Sequence, residues 1–177
     1  MRFKISKKSF TLKIFNIKTC NLGLTIPELL VAISVMLILF LLTLTTFIHI
    51  QKESDLNNSA EEIINTLKLA QSKTVASEDL SQWGVYFTTS TDPHQYVLFK
   101  GDSYLNRTTS SDEINKLPKT VEIYEINLGG GSEVVFQRIT GFASTTEQSF
   151  DISLRLKSDT ADARIIHIER SGQAGLK

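Results

Sequence analysis

Apolar and polar positions follow different rules in successive stretches of this chain. From Leu29 to Ile50 there are 22 residues without a formal charge, interrupted only by Ser34, Thr43, Thr45, Thr46 and His49. Fifteen of them are Leu, Ile, Val or Phe. The run predicts a helix that is apolar nearly all round. Beyond it Leu56, Ala60, Ile63, Ile64, Leu67 and Ala70 recur at helical spacing, with Glu61, Glu62, Lys68 and Gln71 between them. That spacing continues the helix but narrows its apolar surface to one stripe, which needs a partner. The pattern then shortens to a period of two. Candidate strands are Trp83 to Thr88, Gln95 to Lys100, Val121 to Leu128, Glu133 to Arg138, Phe150 to Lys157 and Arg164 to Glu169. Turn signals separate them: Asp92-Pro93, Gly101-Asp102, Gly129 to Gly131, Gly141 and Ser171-Gly172. Phe150, Ile152, Leu154 and Leu156 alternate with Asp151, Ser153 and Arg155, as in a sheet buried on one face. The expected fold class is α+β: a long N-terminal helix packed on a meandering antiparallel sheet. The segment from Ser103 to Asn115 is polar and without period, and reads as a surface loop.

A chain of 177 residues holds one modest body plus an anchor, not two well-cored domains. Charge divides it further. Of the 19 basic residues, Arg2, Lys4, Lys7, Lys8, Lys13 and Lys18 precede Gly23 with no acid among them, so the remainder carries 13 bases against 19 acids. A mildly acidic body argues against nonspecific nucleic-acid binding. The single cysteine, Cys20, lies in the basic leader, so the body has no internal disulfide and no thiolate metal site.

At about 1.5 Å per residue the uncharged run is roughly 33 Å long, against a hydrocarbon thickness of about 30 Å. Its aliphatic and phenyl side chains favour insertion by roughly 5 to 9 kcal/mol. Basic residues precede it, while Lys52 is followed at once by Glu53 and Asp55, so the positive-inside bias places the N-terminus in the cytoplasm and the body outside it. A cleaved secretory signal fits less well, because the run is too long and no Ala-x-Ala follows it.

The junction between leader and run reads GLTIPELLVAISV, Gly23 to Val35. A glycine ends the basic segment and an acid stands five residues later. This stretch resembles the type IV prepilin signature. The resemblance implies cleavage after Gly23 by a prepilin peptidase, N-methylation of Leu24, and a role in assembly for Glu28. Leu24 stands where the family usually has Phe. Two physical arguments stand beside the resemblance. The charge of Glu28 would cost about 2.5 to 3.5 kcal/mol at the bilayer centre and less near an end. At the helix start it also meets the positive end of the macrodipole, for about 0.3 to 1 kcal/mol. The resemblance implies in addition that Glu28 pairs with the free α-amine of a neighbouring Leu24; the two roles are compatible. Pro27 clashes with the carbonyl four residues earlier, that of Gly23, so the two residues should discourage a helix running through the junction before cleavage. After it, Pro27 falls among helical positions whose N–H has no partner anyway.

One long helix followed by a β-rich body is similar to the H-type minor pseudopilins of type II secretion and their FimT relatives among pilins. Echoes lie in Leu67 to Ser72, Leu117-Pro118 with Val121, Val135-Phe136 before Gly141, and Ile165 to Ile168 before Gly172. The expected organisation is a cytoplasmic leader over 1–23, a transmembrane helix over 24–50, its extracytoplasmic continuation over 51–79 and a β-rich body over 80–177. The implied partners are the prepilin peptidase, other pilins or pseudopilins packed through the helix, and an inner-membrane assembly platform. The rival reading is an uncleaved bitopic receptor that keeps residues 1–23.

Catalytic chemistry is not assembled. There is no HExxH, no GxSxG and no CxxC pair, and Gly129-Gly130-Gly131-Ser132 lacks the lysine of a phosphate loop. The expectation is a structural subunit, not an enzyme, without cofactor or metal. His167 sits in an apolar strand pattern and reads as a structural histidine; His49 and His94 are far from it in sequence. Some pseudopilins bind calcium, a role open to Asp102, Asp112 and Glu113, but acidic loop residues are more often solvated. Some FimT-type pilins help take up DNA; here Arg164, Arg170 and Lys177 are diluted by Asp159, Asp162 and Glu169, which favours a solvated face over a nucleic-acid site.

Overall fold

In a computed structural model the described residues are 23, 25–144 and 149–177, with side chains 44–46 left aside. One helix dominates. Helix α1 spans Ile26–Val75, and it is the one element among the described residues long and apolar enough to cross a membrane. The chain divides into two compact units, Met1–Leu42 and Thr43–Lys177. The described part of the first is the apolar beginning of α1, whose Leu, Ile, Val, Met and Phe side chains are exposed from Ile26 to Leu42. Serine is tolerated there because Ser34 Oγ donates to the Leu30 carbonyl at 2.7 Å and so hides its polarity against its own helix.

The second unit is the body. The helix stops at Val75 because Ser77 takes a left-handed conformation (φ 52°), after which Glu78–Leu80 forms a short 3-10 turn. The helical continuation therefore ends four residues before the expected position 79. Strands β1 (Trp83–Thr88), β2 (Gln95–Lys100), β3 (Glu113–Lys116), β4 (Val121–Asn127), β5 (Glu133–Val135), β6 (Ser149–Leu156), β7 (Ala163–Glu169) and β8 (Ala174–Leu176) follow. All pairings are antiparallel, and the α+β class holds.

The strands form two four-stranded sheets in place of the single meander expected, ordered β3-β2-β1-β5 and β4-β6-β7-β8. The break falls at Leu117-Pro118. Leu117 N–H still donates to His94 O at 2.9 Å, but Val121 N–H turns back onto Pro118 O at 3.0 Å, and β4 leaves to pair with β6. Period-two alternation fixes which face a strand buries but not which neighbour it pairs with. The β6 alternation is realised: Phe150, Ile152, Leu154 and Leu156 are all buried. Gly84 has a packing reason: a β-carbon there would lie 2.7 Å from Val134 O and 2.8 Å from Phe99 Cζ, between the two strands that flank β1.

The helix stripe meets this body. Leu56, Ala60, Ile63, Ile64, Leu67 and Ala70 are all buried and share one core cluster with Val85, Phe87, Phe136, Leu154 and Ile166 among others. Thr74 closes the helix end, donating to Ala70 O (2.8 Å) while accepting from Trp83 N–H (2.9 Å), so β1 starts at a bond to the helix.

The segment expected to be a plain surface loop is built into sheet packing. Tyr104 stacks on Tyr86 (centroids 3.8 Å, planes 9° apart) and meets Phe99 edge-on, and the Arg107 guanidinium covers its outer face at 3.7 Å. Arg107 Nε is held by Asp112 Oδ2 at 2.8 Å, and residues 113–116 pair with β2 as an edge strand. A single aromatic inside a polar run carries no periodic signal, so its anchoring role was not legible.

Candidate functional site

The N-terminal end of α1 gathers the residues singled out from the sequence. Leu29 N–H donates to Thr25 O at 3.1 Å, so Thr25 occupies the cap and Ile26 is the first helical residue. Pro27 is the second, at one of the four positions that need no backbone donor. Glu28 lies exposed in the first turn, beside the unpaired N–H groups that form the positive end of the helix. Gly23 is exposed and outside the helix, with open space where a β-carbon would be. Leu24 and residues 1–22, which include Cys20, lie outside the described residues. Gly23, Pro27 and Glu28 thus stand together at one helix end.

From this end the helix offers two surfaces in series. The first is apolar on every side and exposed among the described residues; the second gives one side to the body and the other to solvent. An all-round apolar helix belongs in lipid or among other helices.

The remaining candidates resolve as follows. His167 Nδ1 lies 2.7 Å from Asp151 Oδ1, a structural pair across β6 and β7. His94 Nδ1 accepts from Ile123 N–H at 3.0 Å and ties the two sheets. Asp112 Oδ2 is held by Arg107 Nε at 2.8 Å, and Glu113 stands exposed at the start of β3. Arg164 is held by Asn57 (2.8 Å) and Glu53 (3.5 Å), and Lys177 faces Asp151 at 3.7 Å, which leaves Arg170 as the basic residue of that group without an ion pair among the described residues. One convergence had no sequence signal. His49, Asp159 and Asp162 bring a ligand atom each within 4.8 Å of one another, where the turn between β6 and β7 meets the helix. All three are at least partly exposed, and Lys52 Nζ reaches Ser158 Oγ in the same notch at 3.3 Å, so a cation of the chain already stands beside the carboxylates.

Gln71, which lies within the Leu67 to Ser72 echo, has a role that sequence reasoning missed. Its Nε2 donates to Gly141 O (3.0 Å) and to Ser171 O (3.1 Å), pinning two turns to the far end of the helix. The signal that could have found it is a polar residue on the stripe side, one position after the last buried Ala70.

A long apolar helix whose second half packs on antiparallel sheets defines the pilin-like class of fold. Within that class the chain is similar in structure to the minor pseudopilin EpsH from the type 2 secretion system of Vibrio cholerae, with a TM-score of 0.53 and 13% identity over 70% of this chain and 96% of that one. It is similar also to the type IV minor pilin FimU of Pseudomonas aeruginosa, with a TM-score of 0.50 and 15% identity over 69% and 92% of the two chains. No protein-family model matches the sequence, and no curated protein sequence does. The likeness is therefore one of fold.

Proposed function

We propose that this chain is a minor pilin or pseudopilin: an assembly subunit made as a precursor, cleaved after Gly23, methylated on Leu24, held in the inner membrane by the first half of α1 and then packed helix against helix in a pseudopilus or pilus. The observation that carries the reading is the helix itself. Its first half is apolar on all sides with its side chains exposed, while its second half is buried along one stripe under a pilin-like body. Such a rod is at home in lipid and equally in a bundle of similar rods, so it can exchange one apolar surrounding for the other without meeting water.

The machinery that would act on it follows from the same end of the helix. A peptidase needs an unfolded, accessible bond, and Gly23 is exposed outside the helix. An incoming subunit needs a register mark, and Glu28 is the acid within the apolar rod, able to pair with the new α-amine of a neighbour once cleavage has made it. The assembly platform of the inner membrane and other prepilin-type subunits are the partners. The work is mechanical, and no residue is assigned a catalytic role.

Intact mass and N-terminal sequencing of the protein from membranes of cells that possess a prepilin peptidase test this directly. The chain should begin at a methylated Leu24. A persistent Met1 start would overturn the reading and favour a bitopic receptor that keeps its basic leader.

A further inference from the structure

The two sheets leave four edge strands, and three of them are blunted. A row of unpaired N–H and C=O groups is a template for pairing with another chain, so proteins guard their edges. β3 carries Glu113 and Lys116. On β4 a bulge between Ile123 and Glu125 breaks the line, Val121 N–H turns onto Pro118 O, and Ile123 N–H onto His94 Nδ1. On β5, Val135 O accepts from Ser144 N–H at 2.7 Å. β8 has none of these devices: Ala174, Gly175 and Leu176 bring no charge, no proline and no bulge. Its flanks fix which way its backbone points. Glu169 N–H donates to Gln173 O at 2.9 Å, and Lys177 N–H to Ile165 O at 3.0 Å. By the alternation of an antiparallel ladder, Gly175 then faces β7, while Ala174 and Leu176 turn their N–H and C=O away from it. Among the described residues no partner meets those four groups.

Each face of this edge opens onto a hollow. Gly175 shares one face with His167, its partner on β7, and there a hollow of about 390 Å³ is walled by Gln173, Lys177 and Glu169. Nothing lies within 4 Å of where a β-carbon on Gly175 would be. On the other face a hollow of about 320 Å³ separates Ala174 and Leu176 from Glu61, Ile64, Asn65 and Lys68 of α1. β8 runs against the direction of the helix: Gln71 donates to Ser171 O before the strand begins, and Asn57 is held by Arg164 beyond the point where it ends. Lys68 therefore stands at the Ala174 end and Glu61 at the Leu176 end, about 10.5 Å apart along α1. Both are exposed, and neither makes an ion pair among the described residues.

We propose that β8 is the docking edge for an extended segment of another protein, which adds antiparallel to it as a fifth strand of the sheet. Three residues of the segment carry the recognition. Those opposite Leu176 and Ala174 exchange backbone hydrogen bonds with them. Their side chains fall on the helix side, where Glu61 takes a basic one and Lys68 an acidic one. The residue between them stands opposite Gly175, in a pair whose Cα atoms approach to about 4.5 Å. Its side chain enters the hollow over Gly175 and His167, and an aromatic ring fills the place that the missing β-carbon leaves. Read along the segment, the order is basic, aromatic, acidic. None of this chain's own aromatic residues stands between a base and an acid in that order, so a second copy does not supply the segment. The edge belongs to the body, and the inference is independent of whether the leader is cut.

The probe is a blocked peptide, acetyl-Thr-Val-Lys-Tyr-Glu-Val-Thr-amide, titrated against the full chain in mild detergent. It should bind with saturation, and amide hydrogen exchange should slow at Ala174 and Leu176 but not at Gly175, whose N–H faces β7. Leu176→Pro removes an outward donor and no bond to β7. It should weaken binding about tenfold or more while the unfolding midpoint read by Trp83 fluorescence stays in place. Methylating the backbone nitrogens of the peptide's lysine and glutamate should abolish binding, a loss that no misfolding of the protein explains. Reversing the peptide's charges to Glu-Tyr-Lys should weaken it about threefold, and Glu61→Lys with Lys68→Glu should invert that preference. No saturation up to about 1 mM peptide overturns the proposal. Binding that survives Leu176→Pro or backbone methylation, or a preference that ignores the charge reversal, overturns it too. So does a dimer of the full chain that excludes the peptide and is lost in Leu176→Pro, since the occupant is then a second copy.

Discussion

The two halves of α1 form one continuous helix and live in different surroundings. Ile38, in the first half, is 59% exposed; Leu67, in the second, is fully buried. Leu and Ile make up 12 of the 25 residues from Ile26 to Ile50 but 5 of the 25 from Gln51 to Val75, so the halves differ in content. They differ in arrangement as well. Around Ile38 the neighbours at every angle are apolar, so no single face can turn inward and leave a polar face for water. Around Leu67 the intervening residues include Glu61, Glu62, Thr66 and Lys68, which keep the outer face in water while two sheets cover the stripe. A hydrophobic helix is thus not by itself a core helix; it is one only where polar residues supply its outer face.

The sharpest way to break this contrast is to truncate one side chain in each half. Leu67→Ala should cost the body about 2 to 5 kcal/mol, the range for a buried leucine whose cavity cannot collapse. Ile38→Ala should leave the body's denaturation midpoint where it was. The fluorescence of Trp83, the sole tryptophan, reads both in mild detergent. Equal losses from the two substitutions would mean that the first half is part of the folding unit. A charge sharpens the same contrast from the other side: Ile38→Asp should weaken membrane partition by about 2.5 to 3.5 kcal/mol and leave the midpoint unchanged, as carbonate extraction and the same fluorescence would show.

A smaller effect tests how the second half is tied to its sheets. Thr74→Val keeps the shape but removes the acceptor of the buried Trp83 N–H, and should cost about 1 to 3 kcal/mol in the same unfolding measurement. No change would mean that water reaches the junction between helix and β1.

The smallest effect belongs to the exposed rim of the body. The Lys157 ammonium, 2.7 Å away, holds the Asp92 carboxyl below its ordinary value of 3.8. A depressed carboxyl contributes stability above that ordinary value and loses it as pH falls through the lower, folded one. Asp92→Asn should therefore lower Tm only slightly at neutral pH, with the difference from the parent vanishing in acid below 3.8. A gap that widened in acid would contradict the sign.

Much of this was legible from residue order. The uncharged run, the stripe from Leu56 to Ala70 and the first two strands were placed correctly by periodicity, because each is long enough for its period to be counted. The short strands β3 and β8 were not. Glu113–Lys116 and Ala174–Leu176 are three or four residues long, and what makes them strands is an open edge beside β2 and β7, not anything in their own pattern. At the helix start, Gly23, Pro27 and Glu28 could be singled out because proline, glycine and a lone acid act through local backbone and charge. Gln71, the Tyr104 stack, and the meeting of His49 with Asp159 and Asp162 involve partners about 18 to 113 residues apart, and no local rule brings those together.

Residue order by itself determined that this chain has an apolar rod and a one-faced β-rich body, since each depends on side-chain polarity at short range. Only the tertiary structure decided that the strands divide into two sheets, which turns are pinned to the far helix end, and that His49, Asp159 and Asp162 meet where the turn after β6 reaches the helix. Strand partnership and surface charge placement are settled by which distant segments can share a core, and that is a property of the whole packed chain.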